Sequence, residues 1–472
     1  MDDGVKGNSK GWSIPLKGLE KSDANLLRAG RPNDLLVVVC LVVALASEAL
    51  DGFAIYGFGV RRLLHLVFLL CSLVVFINCR GRLNLFRVES APLRMALTLF
   101  GCAWVYVVLL TLINFSNLRQ HQEIESIKFI LFRLTHFALI LWVFAFAYLF
   151  ASRLTTARSI WLVDLIVVVA SIISAFAILD YIAARFGLDL VYRNAQGTGG
   201  GELFTKFYYY GYHRAMGGFK EPSHLGAYLA PFYFLAISRQ RVILATLIGV
   251  AMMLSLSIIV FVVLSLAFTL VSLALLVRGI SQKNWLSLSF AVSFFSALIS
   301  WGLVFSYSAD SGGYFLGRYE LMAGSDEIIP GRDYVFKYIL SIPVEIFGQG
   351  LGFSILEMSA FFESSLPISF LSFVLNFYVG AGVVGLFIIT LAMFLFVIAL
   401  LIDAPKENNF FRVGIFSSVV SVACVWALLI EEPTVAGVVL FGLAAGWINN
   451  LNIDKAEALN AEDGIWPKAR LN

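Results

Sequence analysis

Between Arg214 and His224 the chain runs Arg-Ala-Met-Gly-Gly-Phe-Lys-Glu-Pro-Ser-His, which gathers two cations, a carboxylate and an imidazole just before an apolar run from Leu225 to Ile237. Guanidinium forks match phosphate oxygens in bidentate fashion, and ammonium groups meet them as point charges. A second polar stretch runs from Gly331-Arg332-Asp333-Tyr334 to Gly348-Gln-Gly-Leu-Gly352, with Arg318 ahead of it. Arg214, Lys220, Arg318 and Arg332 are therefore candidate phosphate ligands. Glu221, Glu320 and Asp333 lie close enough in sequence to pair with them instead. Glu221, His224 and Glu363 are the candidate acid–base groups, because burial near lipid raises a carboxyl into the range useful for proton transfer. Glu431 and Glu432 are further carboxylates placed for proton chemistry, and a solvated or ion-paired role is the favoured reading for Glu432 and Glu363. His224 serves equally well as a packing side chain beside Ser223, the expected helix N-cap.

Between Phe207 and Tyr212 stand Tyr208, Tyr209, Tyr210 and Tyr212. Each alone suits an interfacial anchor. Together they suit sugar rings, whose C–H faces stack on aromatic rings while phenols bond the hydroxyls. Arg133 and His136 lie i, i+3 inside an apolar run and share one helix face. An intramembrane arginine marks a site unless it snorkels to the interface. Glu48 and Asp51, at the end of the first apolar run, are expected partners for either set of cations. No phosphate-binding glycine loop with Lys-Ser/Thr, no His-Glu-x-x-His, no Cys-x-x-Cys and no Asp-x-Asp appears, so neither metal nor cofactor is expected. Cys40, Cys71, Cys79, Cys102 and Cys424 lie in or beside apolar runs without paired spacing, as small buried hydrophobes do.

The elements that must hold these residues are membrane helices. The chain has 472 residues, of which 60% are hydrophobic and 14% charged, against ~25% charged in soluble domains. The fold class is all-α and polytopic, with about twelve spans. Spans are expected near Leu35–Tyr56, Leu63–Asn78, Pro92–Phe115, Ile127–Phe150, Ile160–Ile182 and His224–Ile237, then Trp285–Phe305, Val413–Ile430 and Thr434–Ile448. As one helix Val242–Val277 would reach ~54 Å, well beyond a ~30 Å hydrocarbon core, so a turn near Ser255-Leu-Ser257 is expected. Pro367–Ile402 is expected to form an interfacial helix over Ile368–Tyr378 and one span. Arg80, Arg82, Arg153, Arg158, Arg239, Arg241, Arg278, Lys406 and Arg412 then fall on one side, as the positive-inside rule requires. This divides the chain into a cytoplasmic tail 1–33, a membrane domain 34–450 and a cytoplasmic tail 451–472. Two long outer loops cover about 184–223 and 306–366. The net charge of +3 names no partner and gives no reason to expect nucleic acid.

Both outer loops resemble those of the bacterial O-antigen polymerase and O-antigen ligase superfamily. The resemblance rests on Arg214, Gly217-Gly218-Phe219 and Glu221-Pro222-Ser223, then Gly331-Arg332, Tyr334 to Pro343, Gly348-Gln-Gly-Leu-Gly352 and Gly382-Val-Val-Gly385. It covers roughly Tyr192 to Ile402. It implies a GT-C-like fold in the bacterial inner membrane and metal-independent glycosyl transfer from an undecaprenyl diphosphate-linked oligosaccharide. Arg214 and Arg332 match the positions that contact the donor diphosphate. Ligases of the family carry a His-Asn pair where this chain has Glu363-Ser-Ser-Leu366, which argues for a repeat-unit polymerase making O-antigen, capsule or exopolysaccharide. A ligase and a lipid-linked oligosaccharide flippase are the alternatives. The other expected partners are membrane lipid and a protein that regulates chain length.

Overall fold

The computed structural model describes residues 32–51, 53–55, 58–78, 88, 90–115, 124–154, 156–186, 188, 214–219, 221–255, 257–277, 333–362, 370, 372–403, 409–428 and 433–462. Among them the regular elements are helices and one short antiparallel ribbon, β1 (Ala54–Ile55) with β2 (Phe58–Gly59), in which Ala54 faces Gly59. The helices are α1 (Pro32–Ala49), α2 (Val60–Asn78), α3 (Ala91–Asn114), α4 (Ile124–Ala151), α5 (Thr156–Arg185), α6 (Pro222–Ser238), α7 (Val242–Leu254), α8 (Ile258–Val277), α9 (Asp333–Ser341), α10 (Phe353–Phe361), α11 (Phe373–Asp403), α12 (Asn409–Leu428) and α13 (Val435–Glu462).

Five of these contain segments long and apolar enough to cross a membrane: Val60–Ile77, Ala91–Asn114, Ile127–Ala151, Arg158–Arg185 and Phe373–Ile402. Their outward faces are apolar as well; Ile172, Leu179, Leu112, Phe387 and Phe394 are all exposed. That pattern belongs to helices whose solvent is lipid, and it makes this a membrane-embedded protein. In such a solvent burial of apolar surface drives little association, and close backbone approach matters more. The most extensive pairing, α13 on α4, follows that logic. A Cβ on Gly442 or Gly446 would run into the carbonyl oxygens of Phe144 and Tyr148, so this small-xxx-small pair lets the two backbones touch. Beside it Asn449 Nδ2 donates to Tyr148 Oη at 3.1 Å and Asn450 Nδ2 to the Leu154 carbonyl at 2.8 Å. α11 packs on α3, and α12 on α6.

The run from Val242 to Val277 does break, at Ser255 to Ser257. Its two arms have different partners: α7 lies on α5 and α6, whereas α8 lies mainly on α12. The start of the expected interfacial helix over Ile368–Tyr378 lies outside the described residues, and its described part from Phe373 is helical. α11 begins at Phe373 and continues through Tyr378, and the break comes at Gly382, with φ 68 and ψ −172. α1 stops at Ala49; of the rest of the expected first span, Leu50 and Asp51 turn and Ala54–Ile55 enter the ribbon. α13 runs on to Glu462, past the expected end of the membrane domain. The expected span Trp285–Phe305 lies outside the described residues.

Candidate functional site

One end of the bundle carries both polar motifs, and its geometry starts at the last turn of α1. Glu48 is 6% exposed, and its carboxylate accepts the backbone N–H of Val435 and of Ala436, the latter at 3.2 Å. These are orphan donors of the first turn of α13, where the helix dipole also favours an anion. Arg61, at the start of α2, lies 4.0 Å from Glu48 and 3.5 Å from Asp51. The ribbon between α1 and α2 returns the chain so that these opposite charges meet. Glu48 and Asp51 thus pair with Arg61, which the sequence analysis did not single out. Its signal was available: two acids at the end of one apolar run and Arg61-Arg62 at the start of the next.

The first motif packs on the same end. A Cβ on Gly218 would strike the Ala49 carbonyl oxygen, so only glycine lets this loop lie against the end of α1. Gly217 has φ +54, and its Cα–H face meets Ala177 of α5. Arg214 Nε donates to the Ser255 carbonyl at 2.9 Å, and Ala215 N donates to the Leu254 carbonyl at 2.8 Å. Arg214 therefore ties the loop to the α7–α8 turn. Glu221 stands at the N-cap of α6 with Pro222 at N1, so the cap is Glu221 and not Ser223. The Glu221 carboxylate makes no capping bond and accepts Ser223 Oγ–H at 3.1 Å. It is exposed, whereas His224, in the first turn, is half-buried.

The second motif forms a glycine-hinged segment against α3 and the break in α11. Gly348, Gly350 and Gly352 all have positive φ. Gly350 N donates to the Gly380 carbonyl at 2.7 Å, and Val383 N and Val384 N donate to the Glu345 and Ile346 carbonyls at 3.1 Å each. The helix break at Gly382 frees these groups, and the segment takes them up; unpaired, each would be costly inside a membrane. Tyr106 Oη–H bonds the Phe347 carbonyl at 2.6 Å, Asn114 Nδ2 the Gln349 carbonyl at 2.8 Å, and Leu351 N the Thr111 hydroxyl at 2.7 Å. A cleft of about 110 Å³ lies beside the segment, lined by Glu345, Gln349, Glu357 and Tyr378 among others. Gln349 Nε2 donates to Glu345 at 3.0 Å, and Tyr338 Oη–H points to Glu357 at 3.4 Å. Burial, and then the negative charge of Glu357, hold the Tyr338 phenol above the ordinary tyrosine range. Neither glutamate was singled out from sequence, where each looks like a lone acid in an apolar stretch.

Arg133 and His136 link the two motifs. The Arg133 guanidinium lies over the Phe129 ring at 4.8 Å, and Arg133 Cγ is 3.5 Å from where a Cβ on Gly352 would stand. His136, one turn on and 8% exposed, has its ring centroid 6.3 Å from that of His65. His65 Nε2 is 3.1 Å from Ser47 Oγ, the neighbour of Glu48. Arg62 is exposed, and its guanidinium lies over Phe132 at 4.9 Å. A polar layer therefore runs from Gly352 through Arg133, His136, His65 and Ser47 to Glu48, and on to Gly218. Lys220, Arg318, Arg332, Glu363, Tyr208, Tyr209, Tyr210 and Tyr212 lie outside the described residues. A scan of protein-family models, a search of curated proteins and a search of solved structures each give no match to this chain.

Proposed function

We propose that this chain is a polymerase of undecaprenyl diphosphate-linked oligosaccharide repeat units, working at the extracytoplasmic face of a bacterial inner membrane. The observation that carries this reading is the polar layer: both motif segments meet one end of the bundle and are joined there through Arg133, His136 and His65. In this reading the bond between the anomeric carbon of the growing glycan and its diphosphate oxygen breaks. A hydroxyl oxygen of a fresh lipid-linked repeat forms the new glycosidic bond, and its proton passes to a carboxylate or imidazole. Arg332, with Lys220 and Arg318, holds the departing diphosphate and stabilises its charge. Arg214 contributes through the loop that it anchors to Ser255. Arg62, at the same end, adds a guanidinium. Tyr208 to Tyr212 guide the sugar chain.

A flippase is the second reading, favoured by the helix break at Gly382, because broken helices line the substrate sites of many transporters. Purified protein given lipid-linked repeat alone separates the readings. Longer glycans support polymerisation, no new bond supports transport, and bond formation only on addition of a lipid A core acceptor supports a ligase. In cells, Arg332→Ala at controlled protein level is expected to abolish the glycan ladder; a normal ladder removes Arg332 from the mechanism.

A further inference from the structure

At the end of the bundle opposite the motifs, three charged side chains, one from α5 and two from the α6–α7 turn, meet beside an open cleft. Asp164 lies about two turns into α5. Its Oδ1 accepts Arg239 Nε–H at 2.8 Å, and its Oδ2 accepts Arg239 Nη2 at 3.1 Å and Arg241 Nη2 at 2.8 Å. The two arginines flank Gln240, whose φ of 54 makes the α6–α7 turn tight enough to bring both to one carboxylate. Arg239 and Asp164 are each 22% exposed at the side chain, while Arg241 is 52% exposed. One carboxylate against two guanidiniums leaves one positive charge in excess. Asp164 fixes the plane of the Arg239 fork with two bonds and tethers Arg241 by one, so Arg241 keeps most of its N–H groups for a ligand beside the cleft.

The adjoining cleft has a volume of about 740 Å³. Its walls include Trp161, Leu165, Val168 and Ile243, and both Trp161 and Ile243 are exposed. The site is thus a polar head fixed above apolar walls, on the outer surface of helices that face lipid. On the positive-inside rule this is the cytoplasmic end, since Arg153, Arg158, Arg239 and Arg241 gather there.

We propose that the cleft between α5 and the α6–α7 turn is a binding site for an anionic phospholipid of the cytoplasmic leaflet, its phosphate held by Arg241, with Arg239 behind it on Asp164, and its acyl chain lying along Leu165, Val168 and Ile243. A free phosphate would need only the arginines. The apolar walls, continuous with the head, select a lipid, and the excess positive charge selects an anionic one over a zwitterionic one. Trp161 marks the interface level, where indole rings settle.

The test is quenching of Trp161 fluorescence in vesicles of phosphatidylcholine containing a small fraction of brominated phosphatidylglycerol or brominated phosphatidylcholine. Subtracting the Trp161→Phe protein isolates the one indole. Brominated phosphatidylglycerol is expected to quench at about one-fifth the mole fraction that brominated phosphatidylcholine needs. Arg241→Gln is expected to remove that preference while leaving quenching by the zwitterionic lipid unchanged, and Arg241→Lys is expected to keep most of it. Equal quenching by the two lipids in the unsubstituted protein overturns the proposal, as does a preference that survives in Arg241→Gln. Relief of quenching by millimolar inorganic phosphate would also overturn it, because the arginines would then be taking a free anion.

Discussion

Replacing Glu48 by alanine removes the one carboxylate that receives the first turn of α13. Two consequences follow from the geometry. The N–H groups of Val435 and Ala436 lose their acceptor in a place that water does not reach, since Val435 and Ala436 are 1% and 2% exposed. A buried donor left unpaired costs ~1–3 kcal/mol, so the pair costs about 2–6 kcal/mol. Arg61 loses its more buried partner, but it is 28% exposed at the side chain and keeps Asp51 at 3.5 Å. That pairing is near the surface and adds about 0–1 kcal/mol. The expected loss for Glu48→Ala is therefore about 2–7 kcal/mol, at or beyond the upper end of single substitutions. Glu48→Gln keeps one acceptor oxygen but turns an NH2 toward a backbone donor, and about half that loss is expected. Asp51→Asn leaves the α13 amides untouched and is expected to cost under about 1 kcal/mol. The assay is reversible unfolding in mixed micelles, titrated with denaturing detergent and followed by tryptophan fluorescence. If Glu48→Ala unfolds within about 0.5 kcal/mol of the unsubstituted protein, the claim that Glu48 holds the end of α13 is wrong.

Gly218→Ala is expected to lift the first motif off the end of α1, at about 1–3 kcal/mol, and to raise protease cleavage near residue 218; unchanged proteolysis would contradict the close packing. Gly382→Ala places a side chain at φ 68 and against Gly348, so thermal stability is expected to fall and the 345–352 segment to exchange its amides faster. Gly446→Val is expected to separate α13 from α4 and lower the melting temperature, whereas Gly101→Ala, which meets nothing within 4 Å, is expected to change it little. The Tyr338 phenol keeps its proton more firmly when folded, so its contribution to stability is full below about pH 10 and is lost as pH rises through and beyond that value. Tyr338→Phe is therefore expected to lessen alkaline destabilisation, as measured by melting temperature between pH 8 and pH 11.

The sequence by itself determined the solvent of this fold. Apolar runs of about twenty residues with few charges are read as helices packed in lipid, because a helix satisfies its backbone within its own segment. It also marked the break near Ser255, since a run that outlasts the membrane's thickness must turn. It located the two glycine-bearing motifs, and in Arg133 and His136 it found a pair whose helical spacing was local information. The tertiary structure decided what each charge faces. Glu48 meets an amide pair that is distant in sequence, Arg214 meets a turn carbonyl, and Glu345 and Glu357 share a cleft only because the chain folds back along α3. The Glu345–Gln349–Glu357 cleft has no periodic signature that a linear reading can detect, and the Arg61 pairing showed only as acids and arginines at the adjoining ends of two apolar runs. The Gly442–Gly446 contact with α4 also depends on a partner helix elsewhere in the chain. Apolar patterning is a property of each helix with its solvent and is written locally. The partner of a charge or a glycine is a property of two segments, and it exists only once both have been placed.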